Sequence, residues 1–235
     1  MIYRPIYKPR TRAKEYCDLA VSIYTGCPHR CTYCYAPRTL RRDREKFHTD
    51  VRPRPGIVQG VITQLKSMRG HGKKIMLCFT CDPYPIEHDS MATREVIRAI
   101  KESGNHVQIL TKGDETAQRD LDLLDKGDSF GVTISGAGFS YEPNAAIELV
   151  RLENLMRAKE RKISTWVSCE PVYNPSIVLK LIEAGDYIDM FRVGKLNYHD
   201  SDINWNEFGH DVEERCKLEC RSYYIKEDLR AEMET

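Results

Sequence analysis

An open α/β fold around a parallel sheet is what this chain predicts, on three observations. Strand-like and helical patterns alternate without a break from about residue 19 onward, as repeated βα units do. Most expected strands are followed by a run of helical length, the crossover that parallel neighbours require. The strands number six, too few to close an eight-stranded barrel. An open partial (β/α)6 barrel follows, although the spacing alone also fits a doubly wound sheet. The 235 residues suffice for one sizeable domain, 1–235, and are short for two.

The first strand is expected at about 19–24, where apolar side chains run into a cysteine-rich loop at 25–36. An Arg/Pro-rich stretch at 38–55 reads as loosely ordered. A helix at 56–70 carries its apolar residues at helical spacing, and an apolar run gives a strand at 75–80. The same alternation predicts a helix at 91–103, a strand at 106–111, a helix at 116–125 and a strand at 130–135. Beyond these come a helix at 144–161, a strand at 163–169, a helix at 175–184 that opens on Pro175, and a strand at 187–193. A terminal helix is expected at about 206–230, with the last few residues loosely ordered.

Charge is lopsided although the net is +1. Residues 1–75 hold 17 basic and 5 acidic side chains, +12, against 19 and 30 in the remainder, −11. The densest basic part is Arg38, Arg41, Arg42, Arg44, Lys46, Arg52 and Arg54, a candidate surface for a polyanion; a solvated helix face balanced by the acidic remainder is the plainer alternative. No apolar stretch approaches the roughly 20 residues that span a membrane. Met1-Ile2-Tyr3-Arg4-Pro5 begins no signal-peptide hydrophobic region, so a cytoplasmic protein without a membrane partner is expected. The nine cysteines are odd in number and partly clustered, which favours reduced thiols over disulfides. Cys17, Cys78 and the Cys216/Cys220 pair read as packing residues.

Chemistry concentrates in Gly26-Cys27-Pro28-His29-Arg30-Cys31-Thr32-Tyr33-Cys34-Tyr35. Structural zinc takes four ligands, and a ferredoxin cluster takes four cysteines. Three thiols, Cys27, Cys31 and Cys34, either borrow a distant ligand or leave one iron open. The Cys-x3-Cys-x2-Cys spacing, with Tyr33 just before the third cysteine, resembles the cluster loop of the radical S-adenosylmethionine enzymes, whose scaffold is a partial barrel. That resemblance implies a [4Fe-4S] cluster on the three cysteines, S-adenosylmethionine on the open iron, Tyr33 against the adenine, and a reductant such as flavodoxin or ferredoxin. His29 reads either as a donor to a cluster sulfide or as a solvent-facing loop residue.

In parallel βα folds the carboxyl ends of the strands carry the site. Those ends here hold Thr80-Cys81-Asp82-Pro83-Tyr84 with Glu87 beyond, Thr111-Lys112, Ser135, Ser168-Cys169-Glu170-Pro171 and Gly194-Lys195-Leu196-Asn197. Thr80, Asp82, Lys112, Ser135 and Glu170 offer the charges and hydroxyls that a methionine-like zwitterion and a ribose need. The cysteine loop with Thr80 to Tyr84, Thr111-Lys112 and Ser135 is similar to the spore photoproduct lyase-like (DNA repair photolyase-like) branch. The similarity implies cofactor contacts for Lys112 and Ser135 and a hydrogen-relay role for Tyr35. The lyase's Cys-Thr-Ser-Asp run reads Phe79-Thr80-Cys81-Asp82 here, so thymine-dimer repair is not carried over.

Cys81 and Cys169 are candidate hydrogen donors at two strand ends, with simple packing as the alternative. Tyr84, Tyr173, Tyr198 and His199 are candidates to line a substrate cavity. The expected function is a radical S-adenosylmethionine enzyme, lyase or oxidoreductase in type, acting on a nucleic acid. A radical enzyme for a peptide, an RNA or a small molecule is the first alternative. A non-catalytic metal-binding or nucleic-acid-binding protein is the second.

Overall fold

A computed structural model describes residues 4–68, 71–197 and 199–234. Its eight strands form one sheet in chain order: Ile6–Tyr7 (β1), Leu19–Val21 (β2), Lys74–Leu77 (β3), His106–Thr111 (β4), Ser129–Thr133 (β5), Ser164–Cys169 (β6), Met190–Val193 (β7) and Tyr223–Ile225 (β8). All neighbours from β2 to β8 are parallel, and β1 alone runs antiparallel, with Ile6 opposite Val21. Strand order never reverses, as it would at the switch point of a doubly wound sheet. Among the described residues β1 and β8 do not pair, so the sheet is an open partial barrel.

The helices are Ala36–Thr39 (α1), Arg44–Thr49 (α2), Ile57–Ser67 (α3), Met91–Glu102 (α4), Glu148–Glu160 (α5), Pro175–Ala184 (α6), Trp205–Leu218 (α7) and Glu227–Met233 (α8), with 3-10 turns at Thr11–Glu15 and Glu115–Leu123. The six expected strands coincide with β2 to β7, and the count is corrected by the two edges. The expected terminal helix is broken: α7 stops at Leu218, Cys220 takes a left-handed φ of 52°, and Tyr223-Tyr224-Ile225 then pairs with β7 as β8. Aromatic and β-branched side chains suit a half-buried strand better than a helix end. The 116–125 segment is a 3-10 helix, and the 144–161 helix begins only at Glu148, because Ala146 N–H is drawn to the Lys112 carbonyl (3.0 Å). The expected end of the 56–70 helix falls partly outside the described residues. The Arg/Pro stretch is ordered: Asp43 caps α2 by accepting the Lys46 N–H (2.9 Å), and Phe47 is fully buried.

Alternation along the strands separates two layers. Ile75, Leu77, Val107, Ile109, Phe130 and Val167 face the helices in a large apolar cluster, each contributing about 1.5–3 kcal/mol of burial. The concave layer is smaller and more polar. Ala20, Met76 and Trp166 form its apolar part, joined by Tyr16, Phe79 and Leu110. A Cβ at Gly131 would lie 2.3 Å from the Trp166 ring, so only glycine on β5 admits that indole on β6.

The N-terminal segment straps the open seam. Tyr16 enters the concave side, where its hydroxyl donates to Glu170 Oε2 (2.8 Å) and shares a hydrogen bond with Ser168 Oγ (2.9 Å). Glu15 Oε2 accepts from the Tyr224 hydroxyl (3.1 Å) and the Glu227 N–H (3.0 Å), joining the strap to β8 and α8. Among the described residues no helix is long and apolar enough to cross a membrane.

Candidate functional site

The cysteine loop follows β2 and is held from two sides. Gly26 lies so close to α2 that a Cβ there would meet the Phe47 carbonyl oxygen at 2.0 Å. Cys27 N–H donates to that same oxygen (3.2 Å), and His48 Nδ1 donates to the Cys27 carbonyl (2.8 Å). Arg44 spreads its guanidinium over the carbonyls of Cys31 (2.7 Å), Thr32 (2.8 Å) and Cys34 (3.4 Å). From the other side the β5–α5 connection takes hold. Asn144 Nδ2 donates to Pro28 O (3.2 Å), Asn144 N–H to His29 O (3.2 Å), and Thr32 N–H to Tyr141 O (2.9 Å).

Burial raises the pKa of all three thiols, that of Cys31 to about 11. For Cys27 the next causes are the Asp82 carboxylate and the other two sulfurs, which places the three thiols in one electrostatic group. Backbone N–H groups of His29 and Ala36 face the Cys27 and Cys34 sulfurs and favour their thiolates. Three neighbouring thiols that burial keeps protonated ionise together only if a cationic group takes them as ligands. Three thiols leave a tetrahedral zinc one ligand short, whereas a cluster held by three cysteines keeps one iron open, so the donor set fits the cluster.

Facing the loop is a buried ionic constellation. Lys112 follows β4, with Nζ 5.3 Å from the Tyr33 ring centroid and 3.9 Å from Glu142 Oε1. Burial opposes its charge, yet Cys31, Glu142 and Asp82 outweigh that and raise its pKa, so it is a cation at neutral pH. Glu142 Oε1 also accepts from the Tyr33 hydroxyl and from Ser135 Oγ (3.2 Å), while Oε2 accepts from Arg151. Ser135, fully buried, donates its N–H to Glu148 Oε1 (2.8 Å). Asp82 accepts from Tyr84 N–H (2.9 Å), Thr111 Oγ1 (2.5 Å) and Lys112 N–H (2.8 Å), which ties the ends of β3 and β4 together. His29 is buried, not solvent-facing: its Nδ1 lies 3.7 Å from Asp82, and burial lowers its pKa.

The structure thus brings Tyr33, Asp82, Lys112 and Ser135 to the thiols. Thr80 donates to Ser22 Oγ (3.1 Å), and Tyr35, about half exposed at 49%, donates to the Phe79 carbonyl (2.6 Å). Glu170 belongs to a second polar set: its carboxylate takes the Tyr16 hydroxyl and the buried Lys226 ammonium. Cys169 is corrected: it is fully buried in the layer between sheet and helices, where burial and then Glu148 raise its pKa, and does not open onto the concave side. Cys81 pairs with Cys78 instead of standing alone. Burial opposes its ionisation, but the Cys78 thiol, the Tyr24 N–H (3.4 Å) and Arg54 lower its pKa.

Tyr84 is a core residue, 1% exposed. Tyr173 and His199 line a cavity of about 380 Å³ with Thr32, Ser140, Tyr141, Leu196 and Asp200; Tyr198 lies outside the described residues. Tyr33, Tyr173 and Tyr141 form a row, with centroids 5.6 and 4.3 Å apart. The basic segment is partly consumed by structure. Arg42 donates to Thr25 O and pairs with Asp50, Arg44 clamps the loop, and Arg52 pairs with Asp50 (3.1 Å). Arg38, Arg41 and Lys46 are exposed beside it.

Glu142 and Arg151 were missed by sequence reasoning, although one signal was there. Arg151 sits with Asn154, Leu155 and Ala158 on the buried stripe of α5, where a charged side chain demands a partner.

A family profile described as the Radical SAM superfamily matches residues 21–141. No curated protein matches the chain. Among solved structures, a spore photoproduct lyase complexed with dinucleoside spore photoproduct superposes with a TM-score of 0.70 at 15% identity, over 92% of this chain and 78% of that one. SuiB from Streptococcus suis bound to S-adenosylmethionine gives 0.66 at 10% identity, over 88% of this chain and 50% of SuiB. SuiB bound to the precursor peptide SuiA gives 0.66 at 11%, over 88% and 48%. At such identities the likeness is one of fold.

Proposed function

The chain belongs to the radical SAM superfamily, whose cofactors are a [4Fe-4S] cluster and S-adenosylmethionine, and we propose that it is an enzyme that takes a hydrogen atom from a nucleic acid. Cys27, Cys31 and Cys34 would hold the cluster, leaving one iron for the cofactor. When bound, cluster and cofactor supply a 5′-deoxyadenosyl radical by one-electron cleavage of the sulfonium carbon–sulfur bond, the electron coming from a reductant such as a flavodoxin or ferredoxin. The chain's own task is to bind, orient and keep water out.

Lys112 Nζ is the cation that would take the cofactor carboxylate. At 3.9 Å from Glu142 its charge is balanced, but its protons remain available for a hydrogen bond. Tyr33 offers a ring face beside the third cysteine, and Ser135 a hydroxyl for the ribose. Asp82, whose oxygens already accept three protein donors, fixes the ends of β3 and β4 and adds negative charge for the ammonium. The observation that carries this reading is the three-thiol loop, with Tyr33 on it, clamped opposite Lys112 and Ser135.

The nucleic-acid substrate rests on the exposed cations Arg38, Arg41 and Lys46 beside the loop and on the tyrosine row next to Thr32. Cations for phosphates with aromatic faces for bases suit a single strand. Spore photoproduct lyase, similar in fold, is itself complexed with a dinucleoside. The reacting group would approach Tyr35 and Cys81, and a base reaching it must leave its stack, which favours single-stranded or damaged DNA. The test is anaerobic reconstitution followed by turnover with deuterated oligonucleotides. Deuterium in 5′-deoxyadenosine supports the reading, and label appearing only with peptides or small molecules removes nucleic acid.

A further inference from the structure

Resting on the cofactor reading above, we propose that Glu142 is the positioning residue of the site: it touches no cofactor and sets where Tyr33, Ser135 and Lys112 stand. Its carboxylate is 4% exposed and already used. Oε1 takes the hydroxyls of Tyr33 and Ser135 and faces Lys112 Nζ at 3.9 Å; Oε2 takes Arg151. A carboxylate so occupied has little room for a ligand and acts through its neighbours.

Those neighbours come from four separate elements: the cysteine loop, the end of β4, the end of β5 and helix α5. Glu142 is the atom group common to all of them. Arg151, 1% exposed, is fixed in turn by the backbone, with Nε on Ala146 O (2.7 Å) and Nη1 on Thr133 O (2.9 Å). Glu142 is therefore anchored to the frame of β5, and the cysteine loop is anchored to Glu142 through one phenol. Removing its charge leaves the buried Tyr33 hydroxyl with a weaker acceptor and frees the ring from its place between Lys112 and Tyr173. Lys112 then faces the Arg151 cation with no carboxylate between them, so its ammonium is displaced as well.

The test uses reconstituted protein carrying Glu142→Gln, Tyr33→Phe and both, with Leu155→Ala on the same helix as a stability control. Iron per chain, thermal midpoint, the dissociation constant for S-adenosylmethionine and the EPR change that it induces in the reduced cluster are measured. All variants are expected to keep the iron of the wild type. Glu142→Gln should weaken binding about tenfold and blunt the EPR change, and the double variant should bind about as weakly as Glu142→Gln alone, because both act on one tie. Leu155→Ala should lower the midpoint and leave affinity alone. Unchanged affinity in Glu142→Gln, independent multiplicative losses in the double variant, or the same affinity loss in Leu155→Ala would overturn the proposal. Wild-type protein that assembles its cluster but binds no S-adenosylmethionine would overturn the cofactor reading itself, and this inference with it.

Discussion

At Gly26 the reason for the residue is a distance. A Cβ there would stand 2.0 Å from the Phe47 carbonyl oxygen, so the loop approaches α2 more closely than any other residue allows. Gly26→Ala should push the loop off α2, costing about 1–3 kcal/mol. The measurements are the urea midpoint and the iron retained after reconstitution, and both should fall. Glu142 gives a pH dependence. Burial opposes its ionisation, but Lys112 and Arg151 outweigh that and hold its pKa below the usual carboxylate value. A depressed folded pKa means stabilisation that is full above the unfolded value, near 4.3, and lost as pH falls through the folded value. Urea midpoints of metal-free protein should decline below about pH 5, and Glu142→Gln should lack that part of the decline. Identical pH profiles for the two proteins would contradict the assignment.

At the scale of elements, α1, α2 and the turn between them do two jobs that the sequence runs together. Arg42 and Arg44 hold the cysteine loop, whereas Arg38, Arg41 and Lys46 are exposed. Replacing Arg38, Arg41 and Lys46 by Ala should leave iron content unchanged, weaken binding to single-stranded DNA and lower the slope of log affinity against log salt by about 2. Arg44→Ala should instead lose iron, because three loop carbonyls lose their donor. Salt-independent binding by the wild type would remove the phosphate contacts.

The same distinction shows what the sequence made legible. The six parallel strands stood out because each carries an apolar run with a crossover behind it. The edges did not: β1 has two residues, and β8 is three residues set between two helical patterns. Asp82, Lys112 and Ser135 could be found because they follow strands. Cys169 misled because a strand end offers two faces, and its side chain takes the one toward the helices. Charge density along 38–54 could not say which arginines have partners, since the carbonyls of Thr25, Cys31 and Thr32 and the carboxylate of Asp50 meet them only on folding.

Over the whole molecule, the open sheet leaves a seam that the N-terminal strap covers. Tyr16, Glu15, Glu170 and Lys226 join the strap to β6, β8 and α8 on the concave side. Tyr16→Phe removes one hydroxyl shared between Ser168 and Glu170 and should cost about 1–2 kcal/mol of stability, with S-adenosylmethionine affinity little changed. A large loss of affinity at unchanged stability would instead place Glu170 among the cofactor contacts.

The central claim is that three thiols from one loop hold a cluster that cleaves S-adenosylmethionine. The most direct measurement is anaerobic reconstitution of the wild type and of Cys27→Ala, Cys31→Ala and Cys34→Ala, with iron per chain and 5′-deoxyadenosine formed under dithionite read on the same samples. About four irons per chain and 5′-deoxyadenosine in the wild type, with both lost in every variant, is the result expected for a cluster with no spare ligand. Tightly bound zinc in the wild type, or iron and 5′-deoxyadenosine retained in the Cys31→Ala protein, would contradict it.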